Sequence, residues 1–184
     1  MTIYTKKGDA GMTSTVTGEK VSKASQLLEL QGTIDEINAH IGVLTNICCE
    51  NMVGKEIKQV VEQLRNIQYA LFRMGTDVSS SFTKSYIKES EISELEKHID
   101  FMQDKTGLLK NFIYYSGTKS ATYTHVIRTV TRRAERIFAR LLTEHVPHDY
   151  KYINRLSDYF FALARYLNHL EEAEEAIMVL KDPS

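Results

Sequence analysis

The chain has 184 residues, 26% of them charged, with a formal net charge of −1 and only two cysteines. One hydrophobic core suffices at that length, and charges so nearly balanced exclude a global field for nucleic acid or an anionic membrane, so any anion site must be a local cluster. No apolar run approaches a membrane span and Met1–Lys6 lacks a signal-peptide core, which points to the cytoplasm, while adjacent Cys48 and Cys49 suit neither a structural disulfide nor a zinc site and read as buried thiols.

Residues 1–23 hold Gly8, Gly11 and Gly18 among hydroxyls (Thr5, Thr13, Ser14, Thr15, Thr17) and lysines (Lys6, Lys7, Lys20, Lys23). Backbone amides, hydroxyls and ammonium groups of this kind can wrap phosphate, with glycine allowing close approach. The same composition also suits a plain N-terminal arm. Neither a Walker A loop nor Gly-x-Gly-x-x-Gly is present.

From Ala24 the periodicity is helical. Leu27, Leu30, Ile34, Ile37, Ile41 and Leu44 recur at alternating steps of three and four, the spacing of a bundle helix, with Asp35 and Asn38 on its polar side. Gly54 precedes a second series, Ile57, Val60, Leu64, Ile67, Leu71, Met74 and Val78. Polar residues 79–90 predict a loop, and Ser90 is expected to cap a third helix with Ile92, Leu95, Ile99 and Met102 inward, ended by Gly107. Leu108–Tyr115 is an apolar, aromatic connection with Phe112 at its middle, where a core plug is the plain structural role.

The fourth helix is expected over Thr118–His145, stopped by Pro147. Its apolar stripe, Ile127, Val130, Ala134, Ile137 and Leu141, runs beside Arg128, Arg132, Glu135 and Arg136. A guanidinium row suits phosphate because each fork offers paired, always-charged donors. On charge pattern alone a solvated surface face is the favoured reading. A fifth helix carries Ile153, Leu156, Phe160, Leu163, Leu167 and Leu170, with Asn154, Asp158, Phe161 and Arg165 on a neighbouring face. The acidic tail from Glu171 reads as a frayed, solvated end. No strand-period segment of useful length appears, so the chain predicts one all-α domain over 1–184: an N-terminal loop 1–23, a five-helix bundle 24–170 and a tail 171–184. Glu-x-x-His pairs for a di-iron centre are absent, as is any nucleophile motif, and no metal ligands are assigned. Any reaction must then use a nucleophile brought by a substrate or cofactor, with the protein supplying position and charge.

Three stretches together resemble one family, the PduO-type ATP:cob(I)alamin adenosyltransferases. Tyr4–Ser14 with Val21-Ser22-Lys23 and Gly32–Asn38 looks like its ATP loop and first helix; Arg128–Arg136 and Tyr152–Tyr166 look like its two later signatures. The resemblance runs through nearly the whole chain. It departs after Phe112, where Ile113-Tyr114-Tyr115-Ser116-Gly117 stands in place of the family's usual proline and glycines. The resemblance implies a ferritin-like, cobalamin adenosyltransferase-like five-helix bundle assembled as a homotrimer, with the active site between adjacent subunits. It implies transfer of the 5′-deoxyadenosyl group of ATP to the cobalt of cob(I)alamin, releasing triphosphate, with Mg²⁺ on the phosphates. By similarity, Thr5, Lys6, Lys7, Gly8, Thr13, Ser14 and Lys23 would wrap the nucleotide, and Arg132, Arg133, Glu135, Arg136 and Asn154 would complete its site. Asp35 would pair across the interface with Arg128, and Phe112 would lie under the corrin ring, favouring a cobalt without its lower ligand. A reductase and an acceptor enzyme are the further partners implied. A carrier of adenosylated cofactor and a structural bundle are the competing readings.

Overall fold

Leu30, Ile34, Ile37, Ile41 and Leu44, spaced by four and three, are all at most 2% exposed. They are the inward stripe of α1 (Gln26–Asn51), whose start is fixed by Ser25 Oγ accepting from Leu28 N at 3.4 Å. The protein's structure, a computed structural model, describes residues 3–144 and 146–179. Four further helices follow, α2 (Lys55–Ser79), α3 (Glu89–Thr106), α4 (Lys119–Ala139) and α5 (His148–Leu170). Around the bundle, α2 packs on α1, α1 on α4, α4 on α5 and α5 on α3, so α5 lies between α3 and α4. The core runs continuously through all five. The all-α five-helix expectation holds, and among the described residues no helix is long and apolar enough to cross a membrane.

The helix ends differ from the sequence reading in two places. Ser90 lies inside the first turn of α3, not at its cap; Lys88 takes that position, because Glu91 reaches back to accept from Lys88 N at 3.1 Å. Helix α4 stops at Ala139, short of the expected His145, which lies outside the described residues. There Arg140 N and Leu141 N donate to the carbonyls of Ile137 and Phe138, tightening the chain so that Leu141 and Leu142 turn onto the core. Pro147 therefore does not end α4. It sits at the N-cap of α5, where a missing N–H costs nothing, and its carbonyl accepts from Tyr150 N at 3.2 Å.

Four short strands also appear where none is expected. The N-terminal segment folds into a hairpin of β1 (Met12–Ser14) and β2 (Lys20–Ser22), Thr13 opposite Val21. The tail is not frayed at 171–179: β4 (Ile177–Met178) pairs antiparallel with β3 (Phe112–Ile113). Of the two thiols only Cys48 is buried, and burial pushes it up to about 12; Cys49 is exposed.

Beneath the 80–88 loop sit two buried carboxyls. Asp77 of α2 is 0% exposed and accepts from Tyr86 N at 2.8 Å, while Asp149 in the first turn of α5 is 1% exposed and neither of its oxygens accepts a bond. Burial first, and then the Asp77 carboxylate beside it, push Asp149 up to about 7. The folded chain thus keeps a proton that the unfolded chain loses above the ordinary carboxylate range. The associated stability is present at low pH and is lost as pH rises through about 7. Asp149→Asn removes the cost of ionisation, so on going from pH 5 to pH 8 it should gain on the order of 2 kcal/mol relative to the unsubstituted chain in urea denaturation. An unchanged gap between the two chains at both pH values would contradict this.

Candidate active site

Helix α4 buries Ile127, Val130, Ala134, Ile137 and Phe138, and this forces Arg132, Arg133 and Arg136 outward. Their fates differ. Arg133 pairs with Glu36 of α1, whereas Arg132 and Arg136 have no ion-pair partner among the described residues. Glu135 accepts from Asn154 Nδ2 at 2.8 Å, which ties the start of α5 to the arginine row. The structure thus brings Arg132, Glu135, Arg136 and Asn154 to one exposed surface, with two guanidinium groups free to receive an anion.

Arg128 is held differently. It is half-buried, its guanidinium 4.7 Å from the centre of the Tyr115 ring and 5.9 Å from that of Phe161. Tyr115 in turn lies 4.5 Å from the ring of His125, which is 4% exposed. Burial, and after it the Arg128 charge, push the His125 imidazole down to about 4, so it is neutral beside the guanidinium. Arg128 and Arg132 line a cavity of about 390 Å³ together with Phe161, Asp158, Arg155 and Glu96. In its wall, Arg155 is tied at 3.0 Å to both Glu96 and Asp158, so it is not a free charge. Sequence reasoning passes over Tyr115, His125, Arg155 and Glu96. The available signals were the aromatic run before Gly117 and the three-residue step from His125 to Arg128.

The N-terminal residues form a second cluster. Gly11 and Gly18 take φ of 77° and 85°, which lets the segment turn twice. Lys23 N donates to Gly11 O at 2.9 Å, and its ammonium lies so close to Gly8 that a Cβ there would stand 2.7 Å from Nζ. Gly8 and Lys23 therefore meet in the folded segment. Thr5, Lys6, Lys7 and Ser14 are exposed around them, and Thr13 is partly covered. Val16 N donates to Ser79 Oγ at 3.1 Å, anchoring the hairpin to the end of α2.

The arginines of α4 and the hairpin residue Val16 line different cavities. Val16 and the exposed Asp35 line a space of about 510 Å³ between α1 and α2, with Asn38, Phe72 and Gly75, and no arginine contributes to it. Asp35 and Arg128 are not paired within the chain. Phe112 is 70% exposed, so it is not a core plug; its neighbour Ile113 is the buried one.

Comparison with known proteins finds relatives over nearly the whole chain. Residues 3–167 match the family model described as cobalamin adenosyltransferase. The corrinoid adenosyltransferase of Bacillus subtilis (strain 168) is 38% identical, over 99% of this chain and 97% of the relative. The corrinoid adenosyltransferase MMAB of Homo sapiens is 36% identical, over 99% of this chain and 75% of its own. Among solved structures, a variant PduO-type ATP:corrinoid adenosyltransferase from Lactobacillus reuteri complexed with cobalamin and ATP superposes with a TM-score of 0.86 at 32% identity, covering 96% of this chain and 99% of that one.

The stacked arrangement around Arg128 makes His125 a reporter of it. Its depressed value means that the neutral imidazole stabilises the fold above about 6.5 and that this contribution is lost as pH falls toward 4. By NMR titration, Arg128→Ala should raise the His125 midpoint yet leave it below the ordinary histidine value, since burial is the larger cause. A midpoint that does not move would show that the Arg128 charge is not felt there.

Proposed function

The chain belongs to the cobalamin adenosyltransferase family, and from that premise we propose that it transfers the 5′-deoxyadenosyl group of ATP to the cobalt of a cob(I)alamin-type corrinoid, releasing triphosphate. The observation that carries the assignment to these residues is the pair of guanidinium groups, Arg132 and Arg136, that have no ion-pair partner among the described residues, beside the Asn154–Glu135 hydrogen bond. The Co(I) of the corrinoid is the nucleophile and attacks the ribose C5′. A Co–C bond forms with the metal's electron pair, the C5′–O bond breaks, and that pair leaves on the triphosphate. Cobalt is formally oxidised from Co(I) to Co(III). No proton moves in this step, which is why a site with no general base suffices.

The protein's part is to hold ATP in line and to stabilise charge that grows on the leaving oxygen. Preorganised donors act most strongly there, and loss of one typically costs about 3–4 kcal/mol. In this reading Thr5, Lys6, Lys7, Gly8, Thr13, Ser14 and Lys23 enclose the nucleotide, and Arg132, Arg133, Arg136 and Asn154 receive the phosphates. Arg133 reaches them by exchanging Glu36. Mg²⁺ arrives on the triphosphate, since it keeps several waters and needs few protein ligands.

The active site is proposed to lie between subunits of a homotrimer. Two cavities support this: the hairpin side of α1 and α2 carries Asp35, and the α3, α4 and α5 side carries Arg128 and Arg132. A neighbouring copy would bring Asp35 to Arg128 and close ATP between hairpin and arginines. Phe112, exposed at the edge of the second side, would lie under the corrin ring and exclude water from a readily oxidised cobalt. A cytoplasmic reductase and an acceptor enzyme complete the proposed setting.

An anaerobic absorbance assay with ATP, Mg²⁺ and chemically generated cob(I)alamin tests the reaction: the Co(I) band should vanish as a light-sensitive product and triphosphate form in equal amounts. Binding of both substrates without turnover would favour the carrier reading instead. Arg132→Ala should lower turnover by at least about 100-fold while sedimentation stays that of the parent, and near-normal turnover would remove Arg132 from the site. Arg128→Ala should weaken both assembly and corrinoid affinity; unchanged sedimentation and affinity would defeat the interface assignment.

A further inference from the structure

The connection between α3 and α4, residues 107–118, carries Phe112 and is held at three points by α5 and the chain that follows it. At its start, Arg165 Nη1 donates to Gly107 O at 2.9 Å and Nη2 to Thr106 O at 3.2 Å. At its end, Asn168 Oδ1 accepts from Thr118 N at 2.9 Å while Nδ2 donates to Ser116 O at 3.1 Å. In the middle, Phe112 stands opposite Met178 and Ile113 opposite Ile177, and Tyr114 N donates to Ala176 O at 2.9 Å.

The three points are one device. Arg165 and Asn168 are one helical turn apart on α5, 6% and 3% exposed. Arg165 also donates from Nε to Glu175 Oε1 at 2.7 Å and from Nη2 to Oε2 at 2.9 Å, so the guanidinium that holds the start of the connection also holds the outer strand. A two-residue ladder is too short to persist alone, and a charge-assisted, bidentate pair supplies what it lacks. Gly117, with φ of 107°, packs so closely that a Cβ would stand 2.2 Å from Asn168 Oδ1. Asn168, Glu175 and β4 all lie beyond the residues 3–167 matched by the family model.

The ladder also decides what Phe112 does. Along a strand successive side chains alternate, and here Ile113 is 7% exposed while Phe112 is 70% exposed. A one-residue slip would exchange them. We propose that Arg165, Asn168 and Glu175 are positioning residues for the adenosyl transfer: they strap the C-terminal strand to the connection and so fix the face from which Phe112 meets the corrinoid. This rests on the role given to Phe112 above.

Glu175→Ala releases the strap while keeping Arg165 and Asn168, the side chains bonded to the two ends of the connection. In the apoprotein, hydrogen exchange at the Tyr114 amide should quicken by about tenfold or more while the amides of α4 stay protected. In the transfer assay kcat should fall by about tenfold, as misplacement of a distant support does, with the KM for ATP unchanged. In a Phe112→Ala background the same substitution should change kcat by less than about twofold, because residues acting through one another are non-additive. An unchanged Tyr114 exchange rate, or a full multiplicative loss in the Phe112→Ala background, overturns the proposal. Should the unsubstituted chain transfer nothing, the functional reading fails by itself, and Tyr114 exchange still decides whether the strap exists.

Discussion

The structure depends on the burial of α5. Fourteen of its residues, from Asp149 to Asn168, are buried, since it packs against both α3 and α4. A helix in that position has no water to satisfy its polar side chains, so each must find a partner or change its ionisation. Asp149 does the latter beside Asp77. Arg165 and Asn168 do the former, and their partners are the Glu175 carboxylate and backbone groups at the two ends of the 107–118 connection. The joints that shape the candidate site are therefore consequences of how the core solves its polar burial. Asn154, on the exposed side of the same helix, is left for Glu135 and for whatever the arginines bind.

The arginine row shows the complementary constraint. A site for triphosphate needs positive charge that is displayed but not already neutralised, and it must stay in place without an ion pair. Packing does this on α4: the buried stripe from Ile127 to Phe138 sets the rotation of the helix and so the direction of Arg132 and Arg136. Arg128 needs more support because it is partly withdrawn from water, and aromatic faces provide it. Tyr115 and Phe161 offer their ring electrons to the guanidinium, and a neutral His125 lies behind Tyr115, so no second cation is buried there. Tyr115 stands in the connection between α3 and α4, so that connection supplies part of the surface that holds the Arg128 cation.

The helices are legible in the sequence because a three-four step of apolar residues has one packing solution, and Leu30 to Leu44 or Ile57 to Val78 admit no strand reading. Their ends are less so. Ser90 looks like a cap by residue type, yet Glu91 from the next position wins by reaching back to Lys88. The pairing of β3 with β4 is invisible because two-residue strands have no period, and an acidic tail reads as solvated until the buried partner of Glu175 is known. In the site, the residue types on α4 are legible as a charge stripe. What is hidden is which arginine remains free: Arg132 and Arg133 are neighbours of the same type, and only the place of Glu36 on the adjoining helix separates them.

The division of the candidate residues into two faces has a geometric consequence for assembly. Asp35 and the hairpin lie on the side of α1 and α2, Arg128 and Arg132 on that of α3, α4 and α5. A twofold interface is self-complementary and places the same patch of both copies in contact. The proposed assembly instead uses the head-to-tail contact, in which the hairpin side of one copy meets the arginine side of the next, and such contacts are completed by closing a ring. In a ring every hairpin has an arginine row and every arginine row a hairpin, so all the sites are complete and none is left half-built. The proposed homotrimer is a ring of this kind, with one site at each contact between copies.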